Sequence, residues 1–244
     1  MTGSGFAADA PEDPWRFSVT LPVWAPGIDG DLTVRGQTAD VDVKFDDLKD
    51  SLDAALSLGF EVRKERFGFY AGFGYMKFSS DASGRGGADA EAELKFLVAE
   101  AAMADRLTKV GEQRPFSLEA IAGVRYWYIG TELEITGPQG GTIVDSDSHK
   151  NLIDPIIGLR ASQYLNAKWH LDFQGDIGGF GISDDSSDFC WSAAGLVTWD
   201  AKRWLSLSAG YKALATDIEE GSGTSKKGVD IIMHGVLLTA QFKF

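Results

Sequence analysis

The stretch Val236-Leu237-Leu238-Thr239-Ala240-Gln241-Phe242-Lys243-Phe244 decides the fold. Val236, Leu238, Ala240, Phe242 and Phe244 share one face of an extended chain, while Thr239, Gln241 and Lys243 share the other. Successive side chains of a strand point to opposite faces, so this is a strand with an apolar and a polar side. It stops on an aromatic ring rather than trailing into polar residues. The same alternation recurs upstream in Phe17, Val19, Leu21 and Val23, in Leu58, Phe60 and Val62, and in Leu118 through Tyr128. Trp169, Leu171 and Phe173 repeat it, as do Leu205, Leu207, Ala209 and Tyr211. Over residues 91–106 the register is ambiguous, because Leu94, Phe96, Leu97 and Val98 place apolar groups on both faces.

Ten alternating segments result: 15–25, 54–63, 67–79, 91–108, 116–134, 151–164, 168–181, 189–199, 204–215 and 229–244. Short turns at 64–66, 111–115, 166–168 and 200–203 alternate with longer polar stretches near 80–91, 136–151, 182–188 and 215–229. All tight turns therefore lie at one end of the assembly and all long loops at the other, the asymmetry of an outer-membrane barrel. Trp15, Phe67, Phe69, Phe116, Tyr164, Trp169, Trp199, Trp204, Phe242 and Phe244 gather near the short-turn end. Trp24, Tyr75, Phe78, Tyr126 and Tyr128 fall where strands approach the long loops. Two such belts are expected at the two bilayer interfaces.

Composition narrows the field. The chain has 244 residues, and its 23 basic and 36 acidic residues give a net charge of −13, which argues against a nucleic-acid partner. Mean hydropathy is −0.11, and no apolar run reaches the length of a membrane-spanning helix. The lone Cys190 excludes a disulfide framework, and no Cys/His cluster has zinc-site spacing. Residues 1–14 read as a polar lead-in without a signal peptide, although Ala7-Ala8-Asp9-Ala10 resembles the surroundings of a cleavage site. Either a signal has already been removed or the protein is cytosolic.

If the apolar face meets lipid, the other face lines a lumen. That face carries Arg16, Glu61, Arg63, Glu119, Arg125, Arg160, His170, Asp172, Asp176, Lys212 and Lys243. Buried charges must be paired or hydrated. The lumen is thus either a narrow interior filled by ion pairs or a water-filled, weakly selective pore. Ten strands lie between the filled eight-stranded barrels and the open sixteen-stranded ones. Residues 31–35 and 39–45 form short alternating stretches, which would raise the count to twelve if they entered the membrane. Residues 46–56 read as a helix with Leu48, Leu52 and Leu56 on one stripe. That helix either plugs the barrel mouth or caps its rim.

Little else carries chemistry. His170 and Asp172 share a face, but close to the short-turn end and with no serine or second carboxylate set beside them by spacing. His234 faces lipid by register. The acidic runs at 145–149, 184–188 and 217–220 lack the ligand spacing of a calcium loop and read as solvated, cation-attracting loops. Ser83-Gly84-Arg85-Gly86-Gly87 lacks the strand-to-helix context of a phosphate loop. No metal and no cofactor are expected.

Trp15, Val23-Trp24-Ala25-Pro26-Gly27, Gly30 and Ala39-Asp40-Val41-Asp42-Val43 resemble the opening of a group of largely uncharacterised Gram-negative outer-membrane β-barrel proteins. Asp176 through Gly181, Ala209-Gly210-Tyr211-Lys212 and the closing Phe242-Lys243-Phe244 resemble its later strands, with Lys212 where the group has Arg. The resemblance spans residues 15–244 and implies an outer-membrane location. It also implies the barrel assembly machinery as a biogenesis partner, with Phe242 and Phe244 as the signal it reads. The expected protein is all-β: one antiparallel up-and-down transmembrane barrel of about ten strands (eight to twelve) with one short helix, set in outer-membrane lipid and lipopolysaccharide. Its leading expected function is porin-like diffusion of small hydrophilic solutes or ions. The alternative is a closed, ion-paired barrel with a structural or adhesive role in its outer loops. A membrane-barrel hydrolase and a soluble lipocalin-like binder are weaker readings.

Overall fold

Tight turns and period-two sequences build the molecule from hairpins. In the first, Lys64 pairs with Phe67 across the two-residue turn Glu65-Arg66, with Glu65 in the left-handed region at φ 52°. The computed structural model describes residues 15–34, 37–48, 51–83, 89–111, 115–136, 142–221 and 227–244. Eleven strands follow one another: β1 (Arg16–Val34), β2 (Gln37–Val43), β3 (Leu52–Lys64), β4 (Phe67–Ser83), β5 (Asp89–Val110) and β6 (Phe116–Thr136), then β7 (Thr142–Tyr164), β8 (Trp169–Gly179), β9 (Phe189–Lys202), β10 (Leu205–Glu220) and β11 (Lys227–Lys243). Each barrel strand pairs antiparallel with its chain neighbour, and β1 pairs with β11 to close the ring. Ten strands therefore form the barrel. β2 folds back on the upper half of β1 as a hairpin and adds no staves, so the twelve-stranded option falls.

The outer surface inverts the pattern of a soluble protein. Val23, Leu56, Met103, Ile153, Ile157, Phe173, Val236 and Leu238 all point outward and are exposed. An apolar belt this continuous requires lipid around it. On β5 the outward positions Leu97, Ala99, Ala101 and Met103 lie between Lys95 and Asp105. That interval spans roughly the 25 Å apolar height of such barrels. Above it Lys95 bonds Glu93 (2.6 Å) and Glu132 (2.7 Å), and Lys77 bonds Glu93 (2.7 Å). At the short-turn end Trp169 stacks on Trp199 and Trp204 on Phe242, each at 6.2 Å. The upper belt differs from expectation: Tyr126 and Tyr128 face outward, whereas Trp24 lines an internal cavity and Phe78 is buried.

The helix expected over 46–56 is corrected. One helical turn, α1 (Phe45–Leu48), packs against β1, and Leu52 and Leu56 belong to β3. Leu56 faces outward with Leu58 and Phe60. Period two through Ala54, Leu56, Leu58 and Phe60 prevails because those side chains gain a lipid face, while a helix would have left the edge of β4 unpaired. The stretches read as long loops at 80–91 and 136–151 are mostly strand, carried by β4–β5 and β6–β7 above the membrane. Residues 1–14 and Gly84 to Gly87 lie outside the described residues.

Candidate functional site: the barrel interior

The interior is layered. Nearest the short-turn end, His170 lies 2.9 Å from Asp172 and 3.7 Å from Asp200, stacked at 4.6 Å on Tyr164. Lys243 reaches Asp200 at 2.8 Å. Arg16 is exposed at this end. The next layer is an ion-pair cluster. Arg63 donates to Glu119 (2.5 and 2.8 Å) and Glu61 (2.7 Å), while Arg160 donates to Glu61 (3.2 Å) and Gln174 (3.2 Å). Arg106 joins at 3.6 Å from Glu119. Above them Arg125 is fully buried between Glu100 and Asp176, each at 2.8 Å, and Ser192 donates to Asp176.

The upper interior is apolar. Phe96, Val98, Trp127, Leu152, Ile156, Cys190, Leu214, Ile218 and Met233 pack into one buried cluster, with Trp127 and Leu152 at 0% exposure. Phe96 meets Trp127 edge-on at 5.8 Å. These inward-facing positions explain why residues 91–106 looked apolar on both faces: one face meets lipid and the other meets this core.

A loop closes the top. Residues 182–188, read from sequence as a solvated polar loop, keep 182–185 and 188 exposed but turn Ser186 and Ser187 inward, where both are buried. The Asp154 carboxylate, fully buried, accepts from the Ser187 backbone N–H (2.7 Å), the Ser187 hydroxyl (2.8 Å) and Trp127 Nε1 (2.7 Å). Ser187 also meets Thr216 at 2.8 Å. Three donors satisfy the buried carboxylate, and the two from Ser187 fix the loop. The plug is thus the β8–β9 connection rather than the segment 46–56.

Of the expected lumen residues, Glu61, Arg63, Glu119 and Arg160 come together in one cluster, and Arg125 and Asp176 in another. His170 and Asp172 form a third group. Lys212 makes no salt bridge within these groups among the described residues, although its charge acts on Glu100; its ammonium lies 5.2 Å over the Trp24 ring. Sequence reading missed Glu100, Arg106, Asp154 and Asp200. Glu100 and Asp154 were findable as single charges inside otherwise apolar strand centres. On the outer face, Asp29, His234 and Tyr211 form a hydrogen-bonded chain. Higher still, Asp31 faces Asp40 on β2 and Asp230 on β11. Its hydrogen bond with Asp40, then burial, then the charges of Asp40 and Asp230 raise its carboxyl above the ordinary value. Among the described residues no His/Cys/Asp/Glu group has the geometry of a metal site.

No family model matches the chain, and no curated protein matches it in sequence. Solved structures do match. The outer membrane protease OmpT from Escherichia coli aligns over 98% of this chain and 99% of its own at a TM-score of 0.59 and 8% identity. The translocator domain of the autotransporter NalP from Neisseria meningitidis aligns over 97% and 90% at a TM-score of 0.51 and 13% identity. At such identities the likeness is one of architecture. The chain has the outer-membrane β-barrel fold.

Proposed function

We propose that this protein is a closed outer-membrane barrel that works from its wall and outer loops rather than by end-to-end diffusion. One observation carries the reading: the bore is crossed by fully buried Arg125, Trp127, Leu152 and Asp154, with the inward-folded loop latched above them. Water-filled lumens keep their charges hydrated, whereas here carboxylates and guanidinium groups are consumed by each other. Porin-like diffusion through a charged lumen is the alternative, with Glu61, Arg63, Glu119, Arg160 and their neighbours setting selectivity if the latch opens. Catalysis is no part of the proposal, because the buried His170 and half-buried Asp172 sit beside the short turns. Outer-membrane lipid and lipopolysaccharide as surroundings, and the barrel assembly machinery as biogenesis partner, belong to the same proposal and follow from the resemblance.

Planar-bilayer recording of refolded, heat-modifiable protein tests it. Silence at several salt concentrations is expected. Discrete, salt-dependent steps in the wild-type protein would establish the diffusion pore instead.

A further inference from the structure

The barrel wall is incomplete between β1 and β3. Their ladder runs only from Arg16 opposite Arg63 to Thr20 opposite Gly59. Higher up, β1 pairs instead with β2, beginning at Ile28 opposite Val43. Residues 21–27 of β1 therefore have no partner strand on that side. Phe17 and Phe244 exchange both backbone hydrogen bonds, so odd residues of β1 bond β11 and even residues face β3. Pro22 and Pro26 are even. Continuing the register would set Pro22 opposite Ser57, and proline has no N–H to offer. The gap is written into the strand.

A cavity of about 350 Å³ occupies this seam, within the range of small-molecule sites. Its outer lip consists of the lipid-facing Val23, Leu56, Leu58, Phe60 and Phe73. Its depth reaches Trp24, Tyr70 and Lys212. Trp24 Nε1 and the Tyr70 hydroxyl are buried without a hydrogen-bond partner. Glu61, Glu100 and Arg160 line the cavity too. Lys212 acts on Glu100 electrostatically but has no carboxylate within 4 Å among the described residues, Glu100 being bonded to Arg125 and Glu61 to Arg63 and Arg160. Unsatisfied donors are costly where water is excluded, and two of them in a cavity whose ammonium touches no carboxylate favour an anionic acceptor.

We propose that this seam is a lateral binding site for a single-chain fatty carboxylate, which enters from the bilayer. The chain lies along the apolar lip. The carboxylate accepts hydrogen bonds from Tyr70 and Trp24 and pairs with Lys212. A phospholipid is disfavoured because the seam opens only between β1 and β3 and gives a second acyl chain no slot. The proposal is independent of whether the bore conducts.

Quenching of tryptophan fluorescence by bromopalmitate in nanodiscs tests it, with unlabelled palmitate and methyl palmitate as competitors at pH 8. Saturable quenching that palmitate reverses is expected, with methyl palmitate at least about tenfold weaker for want of a charge-assisted contact. Lys212→Met should abolish that preference while leaving heat-modifiability intact. Gly74→Phe should prevent binding, because a side chain there meets only Ser57 Oγ at 3.4 Å and grows into the cavity. Equal binding of acid and ester, or unchanged binding by both variants, would overturn the proposal. So would quenching by bromine-labelled phospholipid that palmitate fails to displace, which would assign the slot to a bilayer chain.

Discussion

Arg125 has the most at stake of any single residue. It is fully buried and bonded to two carboxylates. Removing one partner of a buried pair leaves the others charged and desolvated, at about 3–5 kcal/mol. Arg125→Met should lower unfolding stability by that amount in urea titrations followed by gel mobility. Replacing Glu100 by Leu and Asp176 by Asn in the same chain should recover part of the loss, since apolar substitutes for a whole network are often neutral. Asp154 holds the loop through two hydrogen bonds from Ser187 and is itself held by a third from Trp127. Asp154→Ala should therefore release Ser186 and Ser187 and quicken proteolysis within 182–188 while the barrel stays folded. The importance of Arg125 and Asp176 was legible from alternation alone, because both fall on the polar face. Asp154 shows only as a lone charge in an apolar strand centre; its partner Ser187 lies in a distant polar loop, and nothing local marks two of that loop's serines as turning inward.

At the scale of elements, the seam makes a prediction about the ladder. Trp24 and Ser57 should exchange their amide hydrogens faster in detergent than residues of the continuous β5–β6 ladder, such as Tyr126. Pro22→Val, which restores an N–H facing β3, should slow exchange at Ser57. The upper hairpin of β1 and β2 carries a different signature. Asp31 has a raised carboxyl in the folded state, so its stabilising contribution is complete below the ordinary carboxylate range and is lost as pH rises through the raised value. Proteolysis of the hairpin should quicken from pH 4 to pH 7, and Asp31→Asn should remove that dependence. The ten barrel strands were readable because each has a lipid side and therefore a clean period of two. The segment 46–56 defeated the same logic, since Phe45, Leu48, Leu52, Ala55 and Leu56 satisfy a helical stripe while Ala54, Leu56 and Leu58 satisfy a strand. Sequence alone could not weigh the open edge of β4 that settles the contest. Residues 91–106 were obscure for the opposite reason, a strand with apolar surroundings on both sides.

The whole molecule is organised by depth in the bilayer, and its tolerance to charge should follow depth. Ile157 faces outward within the apolar belt, so Ile157→Arg should cost about 2–4 kcal/mol, whereas Asn151→Arg near the upper interface should cost about 0–1 kcal/mol. Folding titrations into vesicles would read both. The lone thiol of Cys190 is fully buried in the apolar cluster and lies 3.7 Å from Arg125. A maleimide reaches it only during an excursion that parts this core, and when reclosure outpaces reaction the labelling rate reports the population of the parted state. The protein thus carries its own clock. Wild-type chains should label slowly at neutral pH, Asp154→Ala chains faster, and the ratio of the two rates measures how firmly one carboxylate keeps the interior shut.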